Sequence, residues 1–100
     1  MTRSMLFLQA KPGAGAELLR VLERLGVLAV ADEQPGFIGI EVAASVDDAD
    51  ELLIVESWSS QELYERWREG PVAADWLRQI ESLLTQPPSG RVYRIVEAVR

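Results

Sequence analysis

The chain has 100 residues, 48% of them hydrophobic and 26% charged, which fits one folded domain over 1–100 and excludes a disordered tail, a collagen-like repeat or a coiled-coil rod. Ten basic against sixteen acidic residues leave a net charge of −6, without the basic surplus that nucleic-acid phosphates or an anionic membrane surface require. Cysteine and histidine are both absent, so disulfides, thiolate nucleophiles, Ser-His-Asp triads and the commonest metal and haem ligand are excluded.

The first apolar run, Met5-Leu6-Phe7-Leu8, is four residues long and ends at Gln9, Ala10, Lys11 and Pro12. A secretory segment needs roughly 7–15 apolar residues and a membrane span about 20, so a cytoplasmic protein is expected. The run predicts a strand over Ser4–Ala10, closed by the turn residues Lys11-Pro12-Gly13. Leu18, Val21, Leu22, Leu25 and Leu28 then recur at helical spacing, predicting an amphipathic helix from Ala14 to Ala29. Gln34-Pro35-Gly36 marks a turn before a second strand, Phe37–Ala44. The cluster Asp47-Asp48-Ala49-Asp50 reads as a solvated turn, since it lacks the spacing and glycine of a calcium loop. Lys11-Pro12-Gly13-Ala14-Gly15-Ala16 likewise lacks the spacing of a phosphate loop.

A third strand is predicted over Glu51–Trp58. Ser59-Ser60-Gln61-Glu62 has the pattern of a capping box, with Ser59 as N-cap and a helix running to Glu69. Gly70-Pro71 breaks the chain, and Val72, Trp76, Ile80, Leu83 and Leu84 form the stripe of a further helix over Val72–Leu84. Gln86-Pro87-Pro88-Ser89-Gly90 precedes a last strand, Arg91–Val99. The order β-α-β-β-α-α-β is that of an α+β, ferredoxin-like split βαβ fold with a four-stranded antiparallel sheet. Its strands are apolar on both faces. Leu52 and Ile54 oppose Leu53 and Val55, and Met5 and Phe7 oppose Leu6 and Leu8. Helices cover one face only, so the other is expected to pair with a second copy as a homodimer.

All three tryptophans, Trp58, Trp67 and Trp76, fall within 19 residues, with Tyr64 among them. Such a group can wall a slot for a flat aromatic ligand or pack as core, and Trp76, central in its stripe, reads as core. Gln9 ends the first strand, where its carboxamide can reach a ligand oxygen. Glu41 and Glu56 lie in apolar strands and call for a raised pKa or a cationic partner, for which Arg94 is the candidate. Arg78 lies about 170° from the centre of the last helix's stripe, on the solvent side.

The stretches Pro35-Gly36-Phe37-Ile38-Gly39-Ile40-Glu41, Leu52-Leu53-Ile54-Val55-Glu56-Ser57-Trp58 and Ser59-Ser60-Gln61-Glu62-Leu63-Tyr64 resemble the antibiotic biosynthesis monooxygenase (ABM) domain, and segment order follows it over nearly the whole chain. The resemblance implies a dimeric α/β barrel of ferredoxin-like subunits. Members include oxygenases of aromatic polyketides that use no metal, flavin or haem, alongside haem-degrading enzymes and quinol oxygenases. It implies catalytic roles for Trp58 and Tyr64 and substrate binding by Gln9, Trp67 and Arg78. Ile54 stands where these oxygenases carry Asn, and Trp67 and Val72 where many members carry His. Without histidine a haem degrader lacks its axial ligand. The resemblance therefore implies a cofactor-independent monooxygenase of a planar polyketide- or quinol-type aromatic. A non-oxidative polyketide cyclase or isomerase, or a small-molecule-binding protein without catalysis, stands as the alternative.

Overall fold

The computed structural model describes residues 1–26 and 33–99. In chain order its elements are β1 (Thr2–Gln9), α1 (Gly15–Arg24), β2 (Phe37–Ala44), β3 (Glu51–Trp58), α2 (Gln61–Arg68), α3 (Pro71–Ile80), a 3-10 turn (Glu81–Leu83) and β4 (Ser89–Arg94). The strands form one antiparallel sheet in the order β2-β3-β1-β4, with the helices on one face: the ferredoxin-like α+β fold.

The boundaries that moved did so for local reasons. β1 starts at Thr2, because Trp58 and Arg94 both pair with it. β4 covers Ser89–Arg94 instead of Arg91–Val99: Arg94 pairs with Thr2, the first residue of β1, and beyond it Ile95 N–H closes on the Met1 carbonyl at 2.9 Å. α1 stops at Arg24, and Gly26 follows at φ +67°, a left-handed value that suits glycine after a helix end. Val27, Leu28 and Ala29, also expected in that helix, lie outside the described residues.

Ser60, not Ser59, caps α2. Ser59 N–H is taken by the Gly36 carbonyl at 2.7 Å, whereas Ser60 Oγ accepts from Leu63 N–H at 3.3 Å. Gly36 has φ +80°, and a Cβ there would run into Ser59 and Leu63, so the turn before β2 requires glycine. α3 begins with Pro71 in its first turn and ends at Ile80, short of Leu84. Leu83 and Leu84 are drawn off the helix onto the end of β1. Lys11 N–H bonds the Leu83 carbonyl at 2.8 Å, and Ala10 and Leu84 form an isolated bridge.

The acidic turn carries a structural bond that its composition hides. Asp50 carboxylate oxygens accept from Gly13 N–H at 3.0 Å and Gly15 N–H at 2.9 Å, tying the start of α1 to the approach to β3.

Even-numbered residues of β1 and β3 face the helices. Leu8, Leu52 and Ile54 join Leu18, Val21, Leu22 and Ile80 in the main core, while Trp58, Tyr64 and Trp67 form a second cluster. Trp76 packs against both. On the other face Met5, Leu53 and Val55 are half-buried, and Phe7 and Tyr93 are 37% and 46% exposed.

Candidate functional site

Between the inner sheet face and the helices lies a cavity of about 300 Å³. That is the lower end of the range for small-molecule sites, roughly 300–1,000 Å³. Tyr64 and Trp67 reach it from α2 and Trp76 from α3, while Ser4, Ile54 and Glu56 contribute from β1 and β3. The strand register sets this up: Ser4 pairs with Glu56 across β1 and β3, so both side chains leave the same face at neighbouring positions. The aromatic walls are braced by direct contact and by Trp58 behind them. Trp67 and Trp76 meet edge to face at 5.1 Å, and Trp67 stacks on Trp58 at 6.1 Å and 30°.

Trp58 is fully buried behind that wall and does not border the cavity. It packs edge to face with Phe37 at 5.6 Å and with Tyr64 at 6.2 Å. Its indole Nε1 has no hydrogen-bond partner among the described residues. The sequence-predicted group thus separates into two layers. Tyr64 and Trp67 touch the cavity, and Trp58 holds Trp67 from behind. Trp76, expected as plain core, is part of the wall.

Gln9 and Arg78 are not at this site. The two-residue period of β1 turns Gln9 to the opposite face. There its Nε2 donates to Asp48 Oδ2 at 3.2 Å and to the Asp50 carbonyl at 3.4 Å. Arg78 stands on the solvent side of α3, as its phase predicts, and pairs with Asp75 at 3.1 Å. Ile54, at the position where the resembled oxygenases have Asn, presents an aliphatic side chain to the cavity.

Among the described cavity-lining residues only Glu56, Tyr64 and Arg68 are ionisable. Glu56 Oε1 is buried and has no hydrogen-bond partner among the described residues. Burial pushes its carboxyl above the ordinary glutamate range, against the opposing pull of the nearby Trp58 and Trp67 indole N–H groups. The expected ion pair with Arg94 does not form. β4 is two strands from β3, and Arg94 lies at the exposed edge opposite Thr2. Glu41 points to the outer face and is exposed.

The Tyr64 phenol is also raised, first by burial. The Arg68 guanidinium and the Ser4 hydroxyl pull it down, and the Glu56 charge pushes it up. Arg68 itself is exposed, so it sits at the mouth of the cavity. Arg68 and Ser4 were not singled out from the sequence. The signals were present: Arg68 follows Tyr64 by one helical turn, and Ser4 is a polar residue in phase with Leu6 and Leu8.

The chain is thus a ferredoxin-like domain with an aromatic-walled cavity between sheet and helices. Residues 1–79 match the family model of the antibiotic biosynthesis monooxygenases, and the chain belongs to that family. No curated protein matches the chain. Among solved structures, a candidate antibiotic biosynthesis monooxygenase from Deinococcus radiodurans superimposes with a TM-score of 0.86 at 19% identity, over 100% of this chain and 97% of that one. SnoaB, a cofactor-independent oxygenase from Streptomyces nogalater, gives 0.81 at 17% identity, over 98% and 95%. A candidate family member from Nitrosomonas europaea gives 0.83 at 13% identity, over 97% and 100%. At these identities the likeness carries the fold. Among the described residues no helix is long and apolar enough to cross a membrane, and no cluster of acidic residues is arranged to hold a metal ion.

Proposed function

We infer that the protein is a cofactor-independent monooxygenase acting on a planar phenol- or anthrone-type aromatic. The observation that carries this reading is the cavity itself: Tyr64, Trp67 and Trp76 face a largely aliphatic sheet, Trp67 and Trp76 in edge contact and Tyr64 and Trp67 both backed by Trp58, with the ionisable groups among the described lining residues confined to Glu56, Tyr64 and Arg68. A flat, electron-rich molecule buries its faces against Trp67 and Trp76 and directs its oxygens to the polar groups.

The chemistry asked of the protein is modest. The bound substrate loses a proton and becomes an oxidisable anion, which passes one electron to O₂. The two radicals combine, and the resulting hydroperoxide loses water to leave a carbonyl. One oxygen atom of O₂ ends in the quinone product and the other in water, and the four electrons taken up by O₂ come from the substrate. The walls exclude bulk water and favour the anion over the neutral substrate. Tyr64 and Trp67 contact the substrate in this reading, and Trp58 fixes the plane of Trp67.

The outer sheet face belongs to the same reading. Phe7, Tyr93, Val55 and Leu53 form an apolar surface that pairs with a second copy, giving a homodimer in which each subunit keeps its own cavity.

Oxygen uptake with anthrone and related hydroxyanthrones, in chelator-treated buffer, tests the function. Uptake matched by quinone formation supports it. Turnover that continues unchanged under argon replaces it with a non-oxidative cyclase or isomerase. Binding without turnover across the panel leaves a binding protein.

A further inference from the structure

Glu56 is the feature of the cavity that its walls do not explain. A carboxylate on the inner face of a central strand is costly to bury without a hydrogen bond, and Oε1 has none among the described residues. No ion pair among the described residues compensates it, and the Trp58 and Trp67 indole N–H groups offset the cost of burial only in part. Facing it across the cavity are the Tyr64 hydroxyl and, at the mouth, the Arg68 guanidinium. Among the described residues the other elements that wall the cavity bring no titratable group: α1 supplies Leu22, β2 supplies Ile40, β4 supplies Gly90 and Val92, and α3 supplies apolar side chains.

We propose that Glu56 is the catalytic base of this site, taking the acidic proton of the bound aromatic while Tyr64 and Arg68 hold the oxyanion that forms. The inference rests on the aromatic-substrate reading of the cavity and adds to it the group that starts the reaction. For an anthrone the C–H bond breaks and an O–H bond forms on the Glu56 carboxylate. The electron pair delocalises to the ring carbonyl oxygen. Hydrogen bonds from Tyr64 O–H and Arg68 N–H then stabilise that oxygen. The role explains why the acceptor is a carboxylate with a raised pKa: a stronger base in a water-poor cavity accepts a carbon-bound proton at lower cost. It also explains how a chain with no histidine can perform acid–base chemistry near neutrality.

The test separates proton transfer from oxygenation. Anthrone is incubated with the full chain in D₂O under argon, and exchange of its acidic C–H is followed by proton NMR, with binding read separately by tryptophan quenching. The wild type should accelerate exchange, with a pH profile that rises through an inflection above the ordinary glutamate range. Glu56→Gln should bind anthrone with affinity within about threefold, slow exchange by ~100-fold or more, and lose that inflection. Glu56→Asp should retain the inflection at a reduced rate, which a purely structural role does not predict. Exchange by Glu56→Gln within a few-fold of wild type, or wild-type binding without exchange, overturns the assignment of Glu56 and leaves the aromatic-ligand reading standing. Failure of the wild type to bind any anthrone or hydroxyanthraquinone overturns both.

Discussion

Glu56 and Trp58 stand two residues apart on the same face of β3, and each buries a polar atom that meets no hydrogen-bond partner among the described residues: a carboxylate oxygen and an indole N–H. The indole N–H lies near enough to pull the carboxyl's pKa down without completing a hydrogen bond to Oε1. The Trp58 ring is held by Phe37, Tyr64 and Trp67, which fixes its N–H by packing and leaves the carboxylate to the cavity.

That relationship makes the carboxyl of Glu56 sensitive to Trp58. The indole N–H favours the anionic form, so its removal in Trp58→Phe should raise the Glu56 pKa further. Carboxyl ¹³C NMR of the labelled protein reads this directly. An unchanged or lowered value would show that the indole has no electrostatic influence on the carboxylate.

The same burial fixes the sign of a stability effect. The folded pKa of Glu56 lies above the unfolded one, because burial disfavours the charge. The stability contributed by the neutral form is therefore full below the unfolded pKa and is lost as pH rises through the folded value. Glu56→Gln should raise the melting temperature by a few degrees at pH 8 and have little effect at pH 4. Thermal denaturation at the two pH values checks it, and a loss of stability at pH 8 contradicts it.

Trp67 joins three contacts: a stack on Trp58, an edge contact with Trp76, and the cavity wall. Trp67→Ala removes a residue only 8% exposed and should cost about 3–5 kcal/mol. A domain of this size has a total of about 5–15 kcal/mol, so the variant should be close to unfolding at 37 °C. Trp67→Phe should remain folded and bind planar aromatics more weakly than wild type. Urea denaturation and fluorescence titration measure the two effects.

At the other end of the sheet, Asp50 accepts from the backbone N–H groups of Gly13 and Gly15. Asp50→Ala strands both donors at a helix start and should cost about 1–3 kcal/mol; Asp50→Asn should lose less, keeping one acceptor oxygen but not the charge. Neither change should alter ligand affinity, because Asp50 is not at the cavity. Denaturation midpoints measured beside ligand titrations separate the two effects.

The proposed pairing of outer faces predicts that Phe7→Glu converts a dimer to a monomer. Phe7 lies on the uncovered face of a central strand, where a charge cannot be solvated once two sheets meet. Sedimentation velocity at micromolar concentration is the measurement. A wild-type monomer at that concentration would remove the proposal.

The periodicity carried the fold because most of the chain obeys one rule at a time. Alternation in Leu52–Val55 and the spacing of Leu18, Val21 and Leu22 each specify an element and its buried face. The ends of elements depended on partners far away in sequence. Nothing near Arg94 marks it as the last paired residue; the start of β1 decides that. Nothing in Ser59 distinguishes it from Ser60 until the Gly36 carbonyl takes its N–H.

The site was legible to a similar depth. An aromatic group was visible, but which rings meet ligand space and which support them depends on the packing of two helices on a sheet. Trp58 and Trp76 exchanged those expected positions. Gln9 illustrates the sharper limit: at a period of two, one residue of register moves a side chain from one face to the other.

The strand order has a temporal consequence. β1 is central, yet its second edge is filled by β4, so Thr2 and Arg94 become neighbours. The cavity wall accordingly draws on Ser4 near one end of the chain and Val92 near the other. Closing so long a loop is entropically slow, and this wall is completed only when β4 docks. A nascent or clipped chain lacking that strand keeps its tryptophans but leaves the cavity one wall short.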